Sequence, residues 1–142
     1  MKPILYQAES PLQKPTEAFF VLLTGGVLYV GLETLLRGWS HPSMALCGAI
    51  CFWFIYRLCR RRPDLSLFFR ALLSALFITV VELTAGCILN LQWGLDIWDY
   101  SDHAYNLLGQ ISLSRSIAWL LLCFPACGLC RLIRREVFLC DA

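Results

Sequence analysis

The chain has 142 residues, of which 58% are hydrophobic and 15% charged, with a formal net charge of +2 and a mean hydropathy of +0.64. A single domain of that size would expose large apolar patches in water, so its expected solvent is lipid. The cationic residues trace no face able to follow a phosphate backbone, which argues against nucleic acid as a partner.

Residues 1–16 are polar, contain Pro3, Pro11 and Pro15 and show no sustained period, so they read as an N-terminal arm on the cytoplasmic side. A cleaved signal peptide is disfavoured. The first apolar run begins near Ala18, is longer than a signal-peptide core and has no small-x-small site after it. The first predicted helix covers 17–36, close to the roughly 20 residues that span hydrocarbon. It holds Gly25, Gly26 and one charge, Glu33. A linker at 37–42 ends it, with Pro42 suited to the start of the next helix. The second helix covers 42–58, with Trp53 and Tyr56 placed for an interfacial belt.

Arg57, Arg60, Arg61 and Arg62 follow, and Pro63 closes the run. The third helix is expected over 65–91 and the fourth over 110–133, with a short tail at 136–142. Between them lies the polar stretch 92–109, eighteen residues that hold three of the ten acidic residues, two of the five tryptophans and one of the two histidines. No repeat of 20–50 residues and no low-complexity segment interrupts this order.

The fold class is therefore all-α, an integral membrane bundle of four transmembrane helices within 17–135. An even number of spans puts both termini and the second loop on one side. That side collects ten of the twelve cationic residues, including Arg57, Arg60, Arg61, Arg62, Arg131, Arg134 and Arg135, while Arg37 and Arg115 fall on the other. The positive-inside rule then sets both termini in the cytoplasm (N-in, C-in) and the 92–109 loop outside, in a multi-pass protein of the plasma membrane. An anionic-lipid site is the competing account of the arginine run. Topology explains it with fewer assumptions.

The eight cysteines, Cys47, Cys51, Cys59, Cys87, Cys123, Cys127, Cys130 and Cys140, give an even count, yet nearly all lie in or beside the apolar segments. There a thiol packs as a small hydrophobe, which is the expected role in preference to redox or metal chemistry.

Ionisable residues in a spanning segment usually face the bundle interior with a partner. At about 1.5 Å per residue from the outer helix ends, Glu33 lies about 5 Å deep, Arg115 about 8 Å and Glu82 about 14 Å. In the third helix Thr79, Glu82, Gly86 and Asn90 share one side; Gly26, Tyr29, Glu33 and Arg37 do so in the first, and Ser112, Arg115 and Trp119 in the fourth. These stripes predict a polar pocket of Glu33, Glu82, Asn90 and Arg115 roofed by Trp98–Asp102. The plain alternative is that Arg115 neutralises one glutamate and fixes the packing. Glu82, deepest and without an obvious second cation, is the stronger functional candidate, suited to carry a proton or bind a cationic group.

In the loop, Asp96, Asp99, Asp102 and His103 offer carboxylate and imidazole groups but match no metal-ligand spacing, so no metal and no cofactor are expected. Trp93, Trp98, Tyr100 and Tyr105 suit an interfacial belt. Asp and Ser side chains there are expected to shape a turn by bonding local amides. Ser101 and His103 lack a Gly-x-Ser-x-Gly elbow. Cys127 and Cys130 form a C-x-x-C outside a strand-helix context, and no Walker A loop is present.

Trp98-Asp99-Tyr100-Ser101-Asp102, then Asn106-Leu107 and Gly109-Gln110-Ile111, resemble the loop signature of the small bacterial membrane proteins described as Putative ABC-transporter type IV, or ABC transporter permease. Gly31-Leu32-Glu33-Thr34 and Val81-Glu82-Leu83-Thr84 are similar to that family's glutamate-bearing helices, and the likeness covers residues 20–133. Ala104 stands where the family often has proline. The resemblance implies a multi-helix membrane protein of permease type. The expectation is a non-enzymatic component that works as a homo-oligomer or with a partner transporter subunit. Two other classes stay open: an intramembrane enzyme using Asp99, Asp102 and His103 with Glu82, and an assembly or regulatory protein that transports nothing.

Overall fold

The computed structural model describes residues 13–138. Residues 1–12 and 139–142, which include most of the expected N-terminal arm, the end of the tail and Cys140, lie outside the described residues. Four long helices dominate: α1 (Gln13–Arg37), α2 (Pro42–Arg61), α3 (Leu67–Gly86) and α4 (Leu113–Leu132). Wider π turns extend α3 through Cys87–Gln92 and α4 through Ile133–Val137. Each of the four segments is long and apolar enough to cross a membrane, with mean hydropathies of 1.9, 1.4, 2.2 and 1.9 in chain order. The protein is an all-α membrane bundle.

Local chemistry sets the helix starts. Pro42 opens α2, and the His41 ring caps it by accepting the Ser43 amide at 3.3 Å. Ser66 accepts the Phe69 amide to start α3, and Ser112 accepts the Arg115 amide to start α4. The helices therefore depart from the expected bounds. α1 is already helical at Gln13, the first described residue, and so reaches at least four residues beyond the expected Glu17. α2 continues past Leu58 to Arg61, and α4 starts three residues after Gln110 because 110–112 is drawn into a short hairpin. That hairpin pairs β1 (Asn106–Leu107) with β2 (Ile111–Ser112) in antiparallel register.

The helices run up and down. Glu17 near the start of α1 pairs with Arg60 near the end of α2 at 3.0 Å and accepts the Tyr56 hydroxyl, so those two ends meet. Phe20 and Phe138 rings lie 5.8 Å apart, which brings both ends of the described chain to that same arginine-rich end. The core between the helices combines small residues, among them Ala71, Ala75, Cys123, Cys127 and Cys130, with Val21, Ile55, Phe52 and Tyr56. Many other apolar side chains point outward, such as Phe19, Leu35, Val80 and Leu121, as expected of a surface solvated by acyl chains.

α1 and α2 pack at glycines. A Cβ built on Gly48 would lie 2.3 Å from Tyr29 Cβ, and one on Gly25 would lie 2.4 Å from Phe52 Cβ. Such contact is the usual reason for small residues at membrane helix interfaces. We expect Gly48→Ala to push α1 from α2 and cost about 1–3 kcal/mol. Thermal unfolding in detergent checks this, and an unchanged midpoint would contradict it.

Candidate functional site

At the other end of the bundle, the loop is fastened to α3 by one buried amide. Asn90 Nδ2 donates to the Trp98 carbonyl at 2.9 Å and to Gln110 Oε1 at 2.8 Å, while its Oδ1 accepts the Ile97 amide at 2.7 Å. Trp98 is buried, and its indole N–H donates to the Gln110 carbonyl at 3.0 Å. Gly86 lets this happen: a Cβ there would lie 2.5 Å from Gln110 Oε1. Gln110 is thus a central part of the site that composition alone did not single out. The signals for it were its place in the Gly109-Gln110-Ile111 block and a small residue, Gly86, on the facing stripe.

The rest of the loop motif satisfies itself. Asp99 Oδ1 accepts the Ser101 amide at 2.9 Å and the Ser101 hydroxyl at 2.5 Å. Asn106 Nδ2 donates to the carbonyls of Ser101 and His103, and its Oδ1 accepts the Gly109 amide at 3.1 Å. Gly109 has φ +68°, and a Cβ on it would meet Ser101 Oγ at 2.5 Å and Asp99 Oδ1 at 2.7 Å, so the motif requires glycine on two counts. Asp96, Tyr105 and Leu108 also take positive φ, which makes this a tightly specified turn. Asp102 is exposed and joins none of these bonds. Ser101 donates to Asp99, not to His103, whose ring instead meets Tyr100 edge-on at 5.4 Å.

The Ser101 hydroxyl and amide hold the Asp99 carboxyl below its ordinary 3.8. A depressed folded pKa stabilises the turn above that value, and the contribution disappears as pH falls through the folded value. Asp99 is open to water, so the effect is small. The expected result is that loop proteolysis rises in acid for the wild type, with Asp99→Asn showing no such step. A wild type equally resistant throughout would count against the turn.

Beneath the loop, Glu33 and Glu82 line one small cavity of about 20 Å³ together with Tyr29, Trp98, Tyr100 and Trp119. That is room for about one water-sized occupant. Glu82 is 8% exposed. Its two oxygens accept the Tyr100 hydroxyl and the Trp119 indole N–H, each at 3.1 Å. Burial, then the neighbouring carboxylate, keeps the Tyr100 phenol protonated well above its usual range, so it acts as the donor. Tyr29 and Trp119 stack with ring centres 5.7 Å apart, closing the cavity wall.

The charges pair differently from the simplest expectation. Glu33 is neutralised by Arg37, one turn along its own helix at 2.9 Å, and also accepts the Ser40 hydroxyl at 2.6 Å. Arg37 further donates to the Ile97 carbonyl, tying α1 to the loop. Arg115 forms none of the ion pairs among the described residues. Its guanidinium lies over the Tyr100 ring, 5.0 Å from the centroid. Glu33, Arg37, Asp99, His103 and Arg115 line a wider groove of about 460 Å³ that shares Trp98 and Tyr100 with the small cavity. Of the four residues expected to share a pocket, Glu33 and Glu82 meet at the cavity, Arg115 stands at the groove and Asn90 holds the loop. Arg37 is within reach of Glu33 because residues four apart are neighbours on one helix face, so this pair needs no approach of a second helix.

A bundle of four membrane helices, with a self-bonded loop seated over an intramembrane carboxylate, is the class that this architecture defines. The chain belongs to the family described as Putative ABC-transporter type IV, whose sequence model matches residues 17–138. No curated protein and no solved structure matches the chain.

Proposed function

We propose that the protein is a non-enzymatic, permease-like component of a plasma-membrane transporter, with both termini in the cytoplasm and the Glu82 cavity open toward the outer face. The observation that carries this reading is the state of Glu82. It is a buried carboxylate in a spanning helix, its bonds come from two neutral donors, and the neighbouring arginines are engaged elsewhere. An intramembrane carboxylate without a counter-ion is costly unless a proton or a cationic group joins it. Four aromatic rings around the cavity add faces that attract cations. The family description supports a transport context.

The cavity is too small for an extended solute, so a path through the membrane would form between copies of this chain or against a partner transporter subunit. The test is purification of the tagged full chain from its own membranes. A transporter component brings with it a nucleotide-binding subunit whose ATP hydrolysis responds to small cations and loses that response in Glu82→Gln. A chain that purifies without any ATPase overturns this function and leaves the regulatory reading.

A further inference from the structure

At the arginine-rich end, remote from Glu82, a second pocket of about 350 Å³ opens between the ends of α2, α3 and α4. Its lining is Cys59, Pro63, Arg70, Cys127, Arg131 and Arg134, three guanidinium groups with no carboxylate among them. The volume is in the range of small-molecule sites. Arg70 is half-buried, and its Nε, which has almost no accessible surface, is the one buried side-chain atom among the described residues without a hydrogen-bond partner. That atom is out of a ligand's reach, but the desolvated guanidinium keeps its charge at the edge of the space, and an anion seated among the three arginines would offset the cost of burying it.

Topology accounts for arginines that face water at a helix end. Arg61 is exposed, and Arg62 is spent on Asp64 at 2.8 Å across the α2–α3 turn. It does not account for a half-buried arginine in the first turn of α3 that shares one space with Arg131 of α4 and Arg134 of its π extension. The run at 57–62 is therefore not the part of the arginine set that forms this pocket; Arg70, Arg131 and Arg134 are. Guanidinium forks match the oxygens of phosphate, and the ends of spanning helices lie at headgroup depth.

We propose that this pocket binds a phosphate group, carried by a lipid headgroup or by free phosphate. The site does not depend on the reading of Glu82. The test uses the full-length chain in a neutral detergent, titrated with inorganic phosphate and followed by thermal unfolding, and the same chain in nanodiscs of phosphatidylcholine with or without phosphatidylglycerol, followed by native mass spectrometry. Saturable stabilisation by inorganic phosphate identifies a soluble ligand. Retention of phosphatidylglycerol without a response to inorganic phosphate identifies a lipid.

In either case Arg70→Gln should weaken binding about ten-fold or more, the scale of one charge-assisted bond. Arg131→Gln, at an exposed position that leaves the core intact, should weaken it in the same direction, while Arg62→Gln removes an equal charge without effect. If the wild type binds neither probe, or if Arg131→Gln and Arg70→Gln bind as the wild type does, the proposal is wrong. Should Arg70→Gln fail to fold, Arg131→Gln against Arg62→Gln decides.

Discussion

Asn90→Ala should detach the loop from α3 and lower stability by about 2–6 kcal/mol, since it orphans at least two buried groups at about 1–3 kcal/mol each. The orphaned groups are the Ile97 N–H and the Trp98 carbonyl. Gln110 Oε1 loses a donor as well. Near the membrane boundary, water reaches such groups poorly, so the bonds are not simply exchanged for hydration. Asn90→Asp tests the detail: it keeps the acceptor for Ile97 and loses the donors to Trp98 and Gln110, so it should fall between the wild type and alanine. Thermal unfolding in detergent, with Trp98 emission as a local probe, reads both. An alanine variant that melts with the wild type would remove Asn90 from its place as the fastening.

Glu82→Gln, in contrast, should leave the bundle folded and abolish the cavity's response to cations. The amide can turn its oxygen to the Trp119 N–H and its NH₂ to the Tyr100 hydroxyl, which accepts as readily as it donates. Both contacts now made by Glu82 therefore have a replacement. The expected stability change is within about 1 kcal/mol, the worth of one neutral hydrogen bond. What the amide cannot do is carry negative charge or take up a proton. A purely structural Glu82 predicts that glutamine changes nothing at all, and an ion-pairing Glu82 predicts a large loss of stability.

Much of the architecture was legible because lipid imposes simple rules. Run length and hydropathy marked four spans, and the arginine clusters mark one end of the bundle in the fold. The stripe Thr79, Glu82, Gly86 and Asn90 carries inward contacts: Thr79 meets the Ser116 hydroxyl at 3.2 Å, Glu82 lines the cavity, and Gly86 and Asn90 meet Gln110. Asp99 and Ser101 shape a turn because the Asp99 carboxylate accepts both the amide and the hydroxyl of the residue two positions on, a purely local property.

The partners across helices were not legible in the same way. Arg37 takes Glu33 one turn away within α1, whereas Arg115 of α4 lies over the Tyr100 ring of the loop, a contact that only packing fixes. The π turn at Cys87–Gln92 widens the backbone ladder next to Asn90, so the Trp93 amide bonds Ile88, five residues back. No residue type announces such a turn, and turns of this kind are frequent at functional sites. The apolar period places Gln110 at the start of a helix, whereas it serves as the strand-side anchor of the loop. In the sequence Arg70 is one more positive charge at a helix end, and only the assembled ends of three helices reveal the space it lines.

The most direct measurement is tryptophan fluorescence of the full-length chain in nanodiscs, titrated with sodium, potassium and ammonium chloride. Trp98 and Trp119 both border the Glu82 cavity, so occupancy is reported at the site itself. The wild type should show a saturable change with at least one of these cations and Glu82→Gln none, with the two proteins melting together. A wild type that does not respond, or a Glu82→Gln variant that responds as strongly, would contradict a cation site at Glu82.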